Sequence, residues 1–289
     1  MIAIVVDSTA ALTRGEATRL GVTMVCDTYV VAGQTLSETY MGENGDYAAS
    51  LEAGKLTESH TATPDAFRVA FESLLASGYD VLCITLSSRL AGTYRNACRA
   101  ADAVRRDDVD AARNGRSPRV AVVDSLSGFS SAEYLVRRAR DLESQGRTFD
   151  EIIDDVVQAR TRQGICFSVL ELDSLRSSGR LAMVPQSVST TLNRYPVFTM
   201  LDGAIAYVDS ARGISTLARK MIGQVPPDAR DLTLAHYGSR GPLIVELLKT
   251  TKAAFPDAKV RVKDGGPVLS CNLGPGAASI AWAPDDARA

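Results

Sequence analysis

Apolar residues follow two rhythms along this chain. In its first 160 residues, unbroken β-branched runs alternate with stretches in which apolar positions recur every three or four residues. The runs are Ile4-Val5-Val6, Val81 to Leu86 and Val120 to Val123. Each stops abruptly, in Asp7-Ser8-Thr9, Ser87-Ser88 and Asp124-Ser125. Continuous runs of this kind predict strands buried on both faces of a parallel sheet. Helices are predicted from about Thr13 to Leu20, in a short piece near Tyr47 to Glu52, and after Thr63-Pro64, where Phe67, Phe71, Leu74 and Leu75 share a face. Thr63 is a good N-cap with proline at the first helical position. Further helical stripes run through Leu90, Tyr94, Ala97, Ala101 and Val104, from about Gly128 to Leu142, and from Asp150 to Arg160. Val22 to Val31 reads as one extended run, and residues 32 to 59 as a longer excursion. Alternating strands and helices predict a doubly wound α/β unit.

The pattern then changes. Ile165 to Leu170 reads as a strand and Glu171 to Arg176 as a short helix. Val197 to Leu201 and Ala204 to Val208 flank Asp202-Gly203, a strong hairpin signal. Further strands are predicted at Leu232 to Ala235, Lys259 to Val262, Val268 to Cys271 and Ile280 to Trp282, with helices near Ile214 to Ile222 and Leu243 to Ala254. The sequence therefore predicts an N-terminal doubly wound domain over residues 1–160 and a C-terminal α+β domain with a mixed sheet over residues 161–289.

Composition removes several function classes. A net charge of −2 gives no reason to expect nucleic acid as a partner. The arginines between Arg95 and Arg119 are interleaved with Asp102, Asp107, Asp108 and Asp110, which reads as a solvated helix and loop. The five cysteines are scattered without CxxC spacing, and His60 and His236 are the only histidines, so no zinc site is expected. No signal-peptide pattern opens the chain and no stretch approaches the roughly 20 apolar residues of a membrane span. The expectation is a cytoplasmic protein without an integral membrane segment, for which transient membrane contact stays open.

The strand ends carry the candidate chemistry. In open α/β sheets ligands sit outside the carboxyl ends of the strands, and here those ends offer Ser, Thr and Asp. Thr61 lies just before one helix start, while Ser87, Ser88, Ala91, Gly92 and Thr93 straddle another. Two helix N-termini with hydroxyls can hold a carboxylate or phosphate without lysine. The alternative is that every hydroxyl is only a cap. Arg180, after Ser178-Gly179, could place a guanidinium in a cleft between domains, and Arg212 one on its rim; the alternative is that both are ordinary surface arginines. Asp7 and Asp124 are either acids and bases or, as favoured here, partners of the turns that follow them. Gly274-Pro275-Gly276 lacks the third glycine and the βαβ unit of a dinucleotide fingerprint. There is no G-x-S-x-G elbow. His236 at a strand end could pair with a serine, although a single histidine there more often packs or caps. The first rival reading is a hydrolase or transferase using the strand-end hydroxyls with Asp7 or Asp124, and the second is a binder of another polar-headed small molecule at the same helix ends.

Read together, these segments resemble the DegV family of bacterial fatty-acid-binding proteins. The matching pieces are IVVDSTA (4–10), TATP (61–64), LSSRLAGTY (86–94), VVDSLSG (122–128), LDSLRSSGR (172–180), YPVFTMLDGAI (195–205), VDSARG (208–213) and GPVLSCNLGPGA (266–277). The resemblance implies a two-domain protein that encloses one long-chain fatty acid, such as palmitate or oleate, between its domains. It implies no cofactor and no metal, and a protein that is not itself an enzyme but presents the acyl carboxylate to a separate fatty acid kinase. Thr61 matches the family's carboxylate-binding threonine, although Ala62 and Thr63 replace the usual Ser-Gln. Ala91 stands at the family's second carboxylate contact, a serine, and Asn272 where many members have histidine. Arg180 and Arg212 match arginines near the carboxylate and on the kinase-facing rim. Each lost contact is worth roughly 1 kcal/mol. Either Ser87, Ser88, Asn272 or backbone N–H groups replace them, or the head group bound is not a simple carboxylate.

Overall fold

The computed structural model describes residues 1–107, 119–129, 131–181, 184–190 and 193–284. Strand β1 (Ile2–Asp7) is buried at every position, so its apolar run, Ile2 to Val6, is unbroken and the one polar residue, Asp7, comes at its carboxyl end. With β2 (Val22–Val25), β6 (Asp80–Thr85) and β7 (Val120–Asp124) it forms a parallel sheet ordered β2-β1-β6-β7. Helices α3 (Pro64–Ala76) and α4 (Thr93–Asp107) cover one face, packing Phe67, Phe71, Ala97 and Ala101 against Val5, Val81 and Cys83. Helices α1 (Arg14–Leu20), α5 (Ser131–Ser144) and α6 (Phe149–Ala159) cover the other, where Leu135, Ile152 and Val156 meet Ile4, Val6, Leu82 and Ile84. This is the expected doubly wound arrangement. The chain runs to β2 on one side of β1 and returns to β6 on the other, so the switch point opens a crevice beyond Asp7, Thr85 and Asp124. Much of the arginine-and-aspartate stretch read as a solvated helix and loop, residues 108–118, lies outside the described residues.

A second, mixed sheet has the order β10-β9-β8-β13-β11-β12. Its strands are β8 (Gly164–Ser168), β9 (Arg194–Leu201), β10 (Ala204–Arg212), β11 (Asp231–His236), β12 (Lys259–Asp264) and β13 (Ala278–Ala283). Only β11 and β12 pair in parallel. Asp202 and Gly203 turn the β9–β10 hairpin with φ of 48° and 82°, the left-handed pair that a two-residue hairpin of this hand requires. Helices α8 (Ile214–Ile222) and α9 (Pro242–Ala254) pack on one face through Leu217, Met221, Leu243 and Leu247. Along β8 the side chains alternate: Cys166 belongs to that packed face, while Ile165 and Phe167 join Phe198, Ile205 and Phe129 on the opposite one. That second face fronts the parallel-sheet layer, with α5 packed against β13.

Three expectations are corrected. The run from Val22 to Val31 is two strands, because the chain leaves the parallel sheet at Cys26-Asp27; the Asp27 amide donates to Ser8 Oγ at 3.0 Å and its carbonyl accepts from Glu38 at 2.8 Å. The excursion contains a small antiparallel sheet of β3 (Thr28–Val31), β4 (Gln34–Ser37) and β5 (Leu56–His60), ordered β4-β3-β5, beside the expected short helix α2 (Tyr47–Glu52). Every residue of β4 is exposed, so it lacks the apolar alternation by which a strand is read. Finally, Val268 to Cys271 is helical within α10 (Gly266–Leu273), not a strand. Three apolar residues and a serine do not distinguish the two; Pro267 at the start and Gly274 at the end are helix punctuation.

Candidate functional site

The second face of the mixed sheet and the carboxyl ends of the parallel sheet enclose a cavity of about 770 Å³, counted to its open mouth. Its walls are chiefly apolar, with Leu90, Phe129, Phe167, Met200 and Ile205 among them. Leu175 joins them from α7 (Asp173–Ser177). Polar side chains on the wall include Asp27, Ser59, Thr61, Arg180 and Asn272, and hydrogen bonds connect them or their neighbours. Arg180 donates through Nε to Leu90 O at 2.7 Å and through Nη1 to Asn272 Oδ1. Asn272 Nδ2 in turn donates to Ser59 Oγ at 2.9 Å and to Val268 O at 2.7 Å. Asn96 on α4 donates to Ala62 O at 2.9 Å and to Thr61 Oγ1 at 3.3 Å. The Thr61 hydroxyl therefore accepts one bond and keeps its own proton to donate.

Thr63, not Thr61, caps α3, accepting from Ala66 N at 3.2 Å. This leaves Thr61, between β5 and the cap, available to the cavity. Arg180 is half-buried, and among the described residues no carboxylate pairs with it. Burial lowers its pKa from the ordinary value, yet a guanidinium stays charged in protein. The result is a cation held by neutral acceptors beside an apolar space.

The structure brings Thr61, Ala91, Arg180 and Asn272 to the cavity wall. Gly92 is close behind: a Cβ there would lie 3.8 Å from Thr61 Oγ1. Ser87 is committed elsewhere, donating to Gly203 O at 2.7 Å and so tying the end of β6 to the β9–β10 turn. Ser88 is exposed, and its amide faces the Asp124 carboxylate at 3.3 Å. Thr93 opens α4 fully buried, its hydroxyl without a partner among the described residues and away from the cavity lining. Arg212 ends β10 exposed, directly across from exposed Arg194 in the antiparallel pair.

Asp7 and Asp124 serve the turns after them. Asp7 accepts from Thr9 N at 3.1 Å and Leu86 N at 2.7 Å, and Asp124 from Leu126 N at 2.9 Å. His236 forms no pair with a serine: Nδ1 lies 2.7 Å from Gly238 O, and Arg240 Nε lies 3.4 Å from Nε2. Among the described residues no group of three or more His, Cys, Asp or Glu is placed to hold a metal, and no helix is long and apolar enough to cross a membrane.

Reading by sequence missed Asn96, Ser59 and a cluster of buried carboxyls. Asp27 Oδ1 accepts from Ala62 N at 2.7 Å, and Glu38 Oε1 from Val268 N at 3.0 Å. Burial raises the pKa of Asp7, Asp27 and Glu38 alike, and repulsion from Asp7 and Glu38 pushes Asp27 further up. Glu38 rises to about 7. The nearest signal was Asp27 interrupting an otherwise apolar extended run.

This architecture recurs in solved structures. A DegV family protein from Thermus thermophilus, described by its fatty acid binding, superimposes with a TM-score of 0.82 at 22% identity over 98% of this chain and 100% of that one. A Streptococcus pneumoniae fatty acid kinase B3 protein, loaded with linoleic acid, gives a TM-score of 0.77 at 20% identity over 99% and 100%. A DegV domain-containing protein of Clostridium acetobutylicum is 30% identical over 160 residues, 55% of this chain and 53% of that one, so this match spans about half of either. A model of the DegV family, described as one of uncharacterised proteins, matches residues 1–285. That span leaves no strand of either sheet outside it, and the chain belongs to the DegV family.

Proposed function

We propose that this protein binds one long-chain fatty acid in the cavity and presents its carboxylate to a separate fatty acid kinase, without catalysing a reaction itself. The observation that carries the reading is Arg180, a half-buried cation lacking a carboxylate partner among the described residues, at the wall of an apolar cavity. An anion with a long apolar tail satisfies both features. Burying the chain gains about 0.8 kcal/mol per methylene, on the order of 10 kcal/mol for palmitate before association costs. Thr61 donates to the head group; Arg180, with Asn272 holding it, supplies the charge, in place of the contact that Ala91 cannot make. Ser87, Ser88 and Thr93 support the site from behind through the turn and helix start they occupy. The solved relatives loaded with or described by fatty acids support the ligand class. The kinase B3 relative supports the partner, for which Arg212 on the rim is the proposed contact. We take residues 1–160 and 161–289 as the two domains and the cytoplasm as the site of action.

Native mass spectrometry of the purified protein, followed by solvent extraction, tests the ligand. Palmitate, oleate or a similar acid is expected; no lipid, together with no uptake of added oleate, overturns the reading. Copurification of a sugar phosphate or nucleotide would favour the polar-headed rival instead. With a fatty acid kinase and ATP, Arg212→Ala is expected to keep acyl binding and lose acyl phosphate formation.

A further inference from the structure

Asp27 is the one buried carboxyl on the cavity wall. It is 1% exposed, and only one of its oxygens is used by the protein: Oδ1 accepts from Ala62 N at 2.7 Å. The amide it holds belongs to the residue after Thr61, so Asp27 stands next to the hydroxyl assigned above to the head group. No described residue donates a hydrogen bond to Oδ2. No cation pairs with this carboxyl among the described residues either. An ionised Asp27 here would repel a fatty acid anion as well as its own neighbours.

We propose that Asp27 belongs to the head-group site as a neutral carboxylic acid whose Oδ2–H donates a hydrogen bond to the bound carboxylate. The inference rests on the fatty-acid reading and deepens it: the anion is held by Thr61, Arg180 and a proton carried on Asp27. Two carboxyl groups sharing a proton is the arrangement that like charges at close range adopt. The surroundings favour it. Asp7 at the end of β1 and Glu38 after β4 both act on Asp27, Cys26 beside it is a neutral group, and Tyr29 acts on Glu38. Asp264 adds negative charge beyond Glu38. On the cavity side stand His60, which carries Glu58 3.4 Å away, and Arg180, with Arg95 beyond Gly92. Burial and the two carboxyls together hold Asp27 well above the usual carboxylate range. Raising the pH ionises Asp27 in the free protein, so oleate binding then requires a proton to be taken up.

The experiment measures oleate affinity from pH 6.5 to 9, where oleate's own head group is largely ionised, for the wild type and Asp27→Asn. Asn keeps the acceptor for Ala62 N and supplies Nδ2–H where the acid had O–H, without titrating. Wild-type affinity is expected to hold at low pH and then fall about tenfold per pH unit. Asp27→Asn is expected to keep one affinity across the whole range, whatever its level, since the amide does not titrate. On the wild type alone, oleyl alcohol is expected to bind without this pH dependence, since an ionised Asp27 can accept from its hydroxyl; this arm stands even if the variant does not fold. Equal slopes for both proteins, no slope in the wild type, or the same slope with oleyl alcohol would each overturn the role of Asp27 while leaving fatty acid binding in place. Absence of oleate binding by the wild type would remove the fatty-acid reading and this inference with it.

Discussion

At the scale of single residues, the site separates side chains that meet a ligand from those that hold the frame. Thr61 carries no helix cap, since Thr63 does. Thr61→Ala is therefore expected to weaken oleate binding by roughly 1 to 2 kcal/mol, the range for a hydrogen bond to a charged acceptor, with little change in a urea melt. Equilibrium dialysis beside the melt checks both halves. Glu38 behaves in the opposite way. Its pKa rises from the ordinary 4.5 to about 7, so between those values the folded protein holds a proton that the unfolded chain releases. Stability then falls as pH rises through that window and levels off above it, by about 3 kcal/mol for a shift of this size. Urea melts at pH 4.5 and 8 should show the loss, and Glu38→Gln should remove most of it.

At the scale of elements, local chemistry sets the boundaries and neighbours decide the type. Helix α6 begins with a full capping box: Glu151 N donates to Thr148 Oγ1 at 3.3 Å, and Thr148 N donates to Glu151 Oε2 at 2.8 Å. Thr148→Ala should cost about 1 kcal/mol in thermal or urea unfolding. Acyl binding should be untouched, because α6 packs on the face of the parallel sheet that holds Ile152 and Val156 rather than on the cavity. Helix α10 shows the other case. Its Val268 to Cys271 segment reads as a strand, yet Val268 joins Tyr29, Tyr47, Leu51 and Leu56 in a small core of its own. That core exists only once the small sheet is in place.

At the scale of the molecule, the two large sheets are joined by a buried ionic network. Lys263 of β12 is 4% exposed. Its Nζ lies 2.7 Å from Glu133 of α5 and 3.0 Å from Glu16 of α1. Arg137 of α5 continues the network to Asp231 of β11 at 2.6 Å. Lys263→Met leaves Glu133 buried beside only a distant cation, Arg137 Nε at 3.7 Å. A loss of about 3 to 5 kcal/mol is expected for breaking a buried pair on one side. Adding Glu133→Leu should recover a large part of it, which chemical denaturation of the single and double variants will show.

Periodicity alone determined the parallel sheet, its flanking helices and the β9–β10 hairpin, because each rests on contacts close along the chain or on burial of both faces of one strand. Thr61, Ala91, Arg180 and Asn272 were legible as a set only through the motifs they sit in. Their meeting was decided by tertiary structure: Asn272 bonds Ser59 across 213 positions and Arg180 bonds Leu90 across 90. Ser87 and Thr93 show the limit from the other side. Both are hydroxyls at a turn or helix start, and nothing local says that Ser87 is claimed by Gly203, 116 residues away. The small sheet, the helical state of α10 and the buried acid at Asp27 were invisible for the same reason. Short polar strands, short mostly apolar runs and lone carboxyls take their meaning from what packs against them, and that is set by the fold rather than by their neighbours in sequence.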